Sequence, residues 1–100
     1  MATSHTPTHA MGSTAVGTAG TAVRLHATSL RARRVLIYAQ KTNSGQLFVG
    51  GSDVASSTST GLDGGESITL ETDKNFLDLY DVWIDVGTNG DKADFYAQKV

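Results

Sequence analysis

Residues 46–71 read QLFVGGSDVASSTSTGLDGGESITLE, and their pattern decides the fold class. A short apolar run, Leu47-Phe48-Val49, stops at Gly50-Gly51. A loop of small polar residues, 52–63, follows. A second glycine pair, Gly64-Gly65, turns the chain into Ser67-Ile68-Thr69-Leu70-Glu71, where polar and apolar residues alternate. Alternation with a period of two marks a strand with one buried side, and paired glycines let the backbone turn sharply. Two strands thus present a long surface loop, and nothing in the stretch is arranged for catalysis.

The same grammar extends outward. Upstream, residues 34–41 (RVLIYAQK) place Val35, Ile37 and Ala39 on one side and Leu36 and Tyr38 on the other. A strand apolar on both sides predicts cover on both, by a second sheet or by a neighbouring subunit. Thr42-Asn43-Ser44-Gly45 is a turn signal that predicts residues 46–49 as a hairpin partner. Downstream, Tyr80, Val82, Ile84 and Val86 share one side while Asp81, Trp83 and Asp85 share the other. The parity changes near Leu79, which predicts a bulge or bend. Asn89-Gly90 predicts a second hairpin, leading to a last strand in which Ala93, Phe95 and Ala97 lie opposite Asp94, Tyr96 and Gln98. Toward the N-terminus, Val23 and Leu25 alternate with Arg24 and His26.

Together these segments predict six to eight short strands and no amphipathic helix. The fold class is all-β: a small antiparallel β-sandwich or β-barrel, jelly-roll-like. Its expected core holds Val35, Ile37, Leu47, Val49, Ile68, Leu70, Val82, Ile84 and Phe95. Residues 1–13 (MATSHTPTHAMGS) have almost nothing to bury and predict a flexible N-terminal arm, leaving residues 14–100 as a single β domain.

Composition narrows the function. The chain has 100 residues, 39% of them hydrophobic, so one small core is possible. A net charge of −2 argues against nucleic acid as a partner. No apolar run approaches the length of a membrane span, and no basic-then-apolar leader opens the sequence. The absence of Cys removes thiol chemistry and disulfides.

Individual motifs point the same way. His5 and His9 have a spacing that suits zinc on a helix, but Pro7 lies between them and no third ligand is near. His26 has no evident Ser, Cys or Asp partner. Arg31, Arg33 and Arg34 read as a solvated start to a strand or as partners for acidic side chains. Gly50-Gly51 lacks the Lys and following helix of a phosphate loop, and the hydroxyls of residues 52–60 lack the context of a hydrolase nucleophile. Asp78, Asp81, Asp85, Asp91 and Asp94 read as the solvent side of strands, without calcium-loop spacing. The sequence predicts no enzyme, no cofactor and no metal site. A hydrolase using Asp residues and His26 has the least support in the sequence. Trp83, a large aromatic on an acidic side, reads as packed under a loop or part of an interface.

Four segments carry a resemblance: GTAVRL (20–25), RRVLIYAQKTNSGQLFVGGSDV (33–54), GLDGGESITLE (61–71) and the closing Asn-Gly turn. They resemble small all-β virion proteins of tailed bacteriophages, in which a strand runs through an Asn-x-Gly turn and a Val-Gly step to a Ser/Asp loop. Here those positions are Asn43, Gly45, Val49-Gly50, Ser52-Asp53, and Gly61-Leu62 with Gly65-Glu66-Ser67. The resemblance implies a structural virion protein made in the host cytoplasm, either a capsid decoration (cement) protein or a part of a head fibre or tail. The small size, all-β pattern, N-terminal arm and lack of Cys and of catalytic groups favour a decoration protein that binds the major capsid protein on the outer surface of the head. The resemblance also implies a homo-oligomer, a trimer being the common form. The alternative is an adhesion module of a head fibre or tail, binding a host-surface glycan through Trp83, Tyr80 or the 52–63 loop. The interface candidates are Leu36, Tyr38, Trp83, Ser52 and Asp53.

Overall fold

A computed structural model describes residues 9–57, 61–72 and 76–100. The first eight residues, with His5 and Pro7 of the expected arm, lie outside the described residues, as do positions 58–60 of the loop and 73–75 of the polar turn. The described residues form eight strands: β1 (His9–Ala15), β2 (Val23–Arg24), β3 (Arg31–Ala39), β4 (Leu47–Gly50), β5 (Ser67–Glu71), β6 (Leu77–Asp78), β7 (Trp83–Val86) and β8 (Lys92–Lys99). A 3₁₀ turn, Leu79–Asp81, joins β6 to β7 and accounts for the parity change read near Leu79.

The strands build two antiparallel sheets packed as a sandwich. The larger has the order β1-β8-β3-β5, with β6 also pairing β3, and the smaller has the order β2-β7-β4. Alternation decides what lies between them. Val35, Ile37 and Ala39 of β3 and Ala93, Phe95 and Ala97 of β8 form one core cluster with Leu47, Ile84 and Val86 of the smaller sheet. Each fully buried Val, Leu or Ile contributes about 1.5–3 kcal/mol of transfer free energy. Val82 joins this cluster, and Val49 and Leu70 pack against it partly buried. Val16, Leu25 and Leu79, which were absent from the expected core, are fully buried.

Ile68 departs from the expected core. It has the right parity, opposite Ile37, yet it is 38% exposed. The larger sheet is wider than the smaller one, so its edge strand β5 overhangs the core.

Neither expected hairpin forms. β4 pairs β7 rather than β3, and β8 pairs β3 and β1 rather than β7. At both turn signals the chain crosses from one sheet to the other. The Asn-Gly turn explains why. A two-residue hairpin of the favoured type needs both central residues at positive φ. Here Gly90 has φ of 84° and no non-glycine among the described residues is at positive φ, while the Asp91 amide donates to the Thr88 carbonyl at 3.2 Å. That is a type II turn, which does not match hairpin twist.

Two side chains clip these crossings together. The Asn43 amide donates from Nδ2 to the Lys92 carbonyl at 2.8 Å and accepts at Oδ1 from the Lys92 amide at 2.9 Å. The Asp91 carboxylate accepts from the amides of Ser44, at 3.0 Å, and Gly45, at 2.7 Å. Asp91 is buried, which corrects its reading as a solvent-side residue; it lies in the crossing turn and its oxygens point at backbone donors. Asp85 is corrected likewise. It is buried on the outer side of the smaller sheet, where Oδ1 accepts from Gly20 and Val86 amides at 2.9 and 2.8 Å. Loop 16–22 covers it.

The expected flexible arm also needs correction at its inner end. Residues 9–13 belong to β1, in register with β8 from His9 opposite Gln98 to Ser13 opposite Asp94. The small side chains that argued for a tail are what let this strand dock. A Cβ on Gly12 would lie 2.7 Å from the Phe95 ring, and the His26 ring meets the same phenyl edge-on at 5.9 Å. We therefore expect Gly12→Ala to destabilise the fold by about 1–3 kcal/mol, as overpacking does, read as a lower urea midpoint. An unchanged midpoint would contradict this docking.

Candidate interaction face

Because β-strand side chains alternate, the outer side of the larger sheet is set by its register. Three rows cross it. His9, Gln98, Arg34 and Glu71 form one; Met11, Tyr96, Leu36 and Thr69 the next; Ser13, Asp94, Tyr38 and Ser67 the third. The middle of this face is apolar. Met11 is 71% exposed, Tyr96 44% and Tyr38 38%, with Leu36 half-buried among them. Met11, Ser13, Tyr38, Asp94 and Tyr96 line a shallow depression of about 400 Å³.

Polar groups frame this centre. At one end Gln40 Nε2 donates to Asp94 Oδ1 at 2.8 Å and to Ser13 Oγ at 3.3 Å. At the other, Arg34 Nε donates to Glu71 Oε2 at 3.1 Å, and the His9 ring meets Tyr96 edge-on at 5.7 Å. An apolar centre with Met and Tyr, ringed by held polar side chains, is the anatomy of a protein-binding surface. Leu36 and Tyr38 were expected to be covered on this side; none of the described residues covers the face.

The outer side of the smaller sheet is different. Phe48 and Val54 are buried there, apart from the main core. The Val54 amide donates to the Gly51 carbonyl at 3.0 Å, which closes a turn and brings Val54 back over Gly50. Ser52 and Asp53 sit exposed at the tip of that turn. Trp83 is half-buried beside it, with the Arg24 guanidinium 4.5 Å from its ring centre and 3.7 Å from that of Tyr80. Arg24 also donates from Nη1 to the Tyr80 carbonyl at 2.6 Å. One face of each aromatic ring is thus occupied.

The structure therefore divides the five interface candidates. Leu36 and Tyr38 lie on the open face of the larger sheet, and Trp83, Ser52 and Asp53 lie on the far side of the sandwich. Tyr96 and Met11 complete the open face and were missed as interface residues. The Tyr96 signal was present in the alternation of residues 93–98. Met11 had only a faint one, inside a segment read as a tail. His26 lies just beyond β2, with Nδ1 2.8 Å from the Thr28 carbonyl oxygen. Among the described residues no three His, Asp or Glu side chains are grouped to hold a metal ion.

Asp78 anchors the end of the molecule that carries Tyr80. Ser29 donates its hydroxyl to Oδ2, and the Leu30 and Tyr80 amides donate to Oδ1 at 2.9 and 3.0 Å. The Ser29 bond, then the two amides and Arg31, hold its pKa below the 3.8 of a free aspartate, against the opposing effect of partial burial. A carboxylate with a lowered folded pKa stabilises the fold fully above its unfolded pKa, and this is lost as pH falls through the folded value. We expect the urea midpoint to drop below about pH 4 and Asp78→Asn to flatten part of that drop. Equal pH slopes in the two proteins would contradict the assignment.

Comparison with protein-family models, with curated proteins and with solved structures gives no match to this chain.

Proposed function

We propose that this chain is a structural binding protein of a tailed-bacteriophage virion, a decoration protein that seats the outer face of its larger sheet on the major capsid protein. The observation that carries the reading is the open apolar row Met11, Tyr96, Leu36 with Tyr38 beside it. Aromatic and Met side chains exposed together on a flat sheet are costly to leave in water and mark interaction surfaces. The resemblance of residues 33–54 and 61–71 to phage virion proteins supplies the partner class. Strands about 4.8 Å apart and about 3.3 Å per residue give a face on the order of 400 Å². That is about half of the 800 Å² per partner of a standard interface, so stable attachment rests on repetition over many copies.

The adhesion reading draws less support. It relied on Trp83 and Tyr80 as sugar platforms, and Arg24 lies over both rings.

Mixing purified protein with capsids that lack it tests the proposal. We expect bound protein and greater resistance of the capsids to heat, with Met11→Ser and Tyr96→Ser together abolishing both effects while leaving the protein folded. Capsids that take up no protein, or a double variant that binds as well as the native chain, would overturn the reading.

A further inference from the structure

Among the described residues, strand β5 is an unpaired sheet edge. Its pairing with β3 fixes which way its backbone points. The Thr72 amide donates to the Arg33 carbonyl and the Ala39 amide to the Glu66 carbonyl. In an antiparallel ladder hydrogen-bonded and non-bonded pairs alternate. Leu70 and Ile68 therefore bond inward to β3, while the N–H and C=O groups of Ser67, Thr69 and Glu71 face outward. Ser67, Ile68, Thr69 and Glu71 are all exposed. Edges of this kind are normally blunted by Lys, Pro or a bulge. The β5 sequence, Ser-Ile-Thr-Leu-Glu, has none of these, and its one charged residue, Glu71, is paired with Arg34 of its own sheet.

We propose that β5 is a two-fold dimerisation edge, pairing antiparallel with β5 of a second copy in the register that sets Thr69 opposite the partner's Thr69. The side chains select both occupant and register. In this alignment Ile68 lies opposite the partner's Leu70 on the inner side, so each exposed Ile gains an aliphatic neighbour where the smaller sheet fails to reach. On the outer side Thr meets Thr and Ser67 meets the partner's Glu71, pairs that a sheet favours or tolerates. All three outward-facing residues then find hydrogen-bonding positions. Moving the centre to Ile68 sets Leu70 opposite the partner's Glu66, and moving it to Glu71 sets carboxylate against carboxylate. The other edge of the larger sheet, β1, offers only Ala10, Gly12 and Thr14 on its inner side, too little to drive pairing.

A two-fold contact closes at two copies, so a dimer takes the place of the trimer expected from the family resemblance. It also sets two open faces side by side in one extended sheet. This inference does not depend on what that face binds.

The absence of Cys makes a register-specific test possible. Opposed Cα atoms at a hydrogen-bonded position lie about 5.5 Å apart, within the roughly 4.4–6.8 Å that a disulfide spans. In the same alignment the two copies of Ser67 are displaced by about 13 Å along the strands. Under mild oxidation Thr69→Cys is expected to run as a covalent dimer on a non-reducing gel, and Ser67→Cys as a monomer. Light scattering on the native protein is expected to give a dimer, and on Thr69→Pro, which removes an outward N–H without touching the β3 ladder, a folded monomer. A native monomer or trimer, a folded Thr69→Pro dimer, or Ser67→Cys cross-linking as readily as Thr69→Cys would overturn the proposal. If Thr69→Pro does not fold, the cysteine pair decides alone.

Discussion

The contact on which the rest of this sandwich depends is the polar clip between its two sheet-crossing turns. The chain changes sheets at most of its connections, so hairpins do little to hold the two layers together. Residues 40–46 carry it from β3 to β4, and residues 87–91 carry it from β7 back to β8. Asn43 and Asp91 join these passages with four hydrogen bonds between side chain and backbone. The joint has little room: a Cβ on Gly45 would come 2.7 Å from Thr88 Oγ1. Val16 extends it to β1's exit, bonding through its amide and carbonyl to Asp91 and Gly90. The Asp91 bonds are partly buried, where leaving a donor unpaired costs about 1–3 kcal/mol, while the Asn43 bonds lie at the surface. The apolar layers give the sandwich its bulk stability, and the clip fixes how one layer sits on the other.

That arrangement bears directly on the candidate face. Gln40 begins the first crossing, and its side chain holds Asp94 and Ser13 at the rim of the apolar row. The register of β1, β8 and β3 at this end is therefore tied to the joint. The two outer sides of the sandwich then have opposite fates. Over the smaller sheet, loops fold back to bury Phe48, Val54 and Asp85, and Arg24 lies across two aromatic rings. Over the larger sheet none of the described residues folds back, although Met11, Tyr96 and Tyr38 are there to be covered. This asymmetry, more than any one residue, supports the proposal that the open side meets a partner.

Strand alternation made much of this legible in sequence. It identified β3, β5, β7 and β8, set Leu36 and Tyr38 apart from Val35 and Ile37, and placed six of the nine expected core residues in the buried cluster. Strand partners were not legible, because turn residues look alike in a hairpin and in a crossing. Asn89-Gly90 suits both, and only the sign of φ at Asn89 separates them. Parity also says nothing about what covers a side, so Asp85 read as solvent-facing and Ile68 as buried when loop cover and sheet width reversed both. β1 was hidden for a different reason: position 12 is glycine because the Phe95 ring takes the space beside it. That requirement is tertiary and leaves no periodic trace.

Residue-resolved amide hydrogen exchange on the native protein and on Asp91→Ala tests the clip most directly. If the crossings are joined as described, the Ser44 and Gly45 amides of the native protein exchange as slowly as those at the centre of β8. Removing the carboxylate then frees residues 43–45 and 88–92 together, although they are far apart in sequence. Fast exchange at Ser44 and Gly45 in the native protein, or a change confined to the immediate neighbours of position 91, would contradict the account.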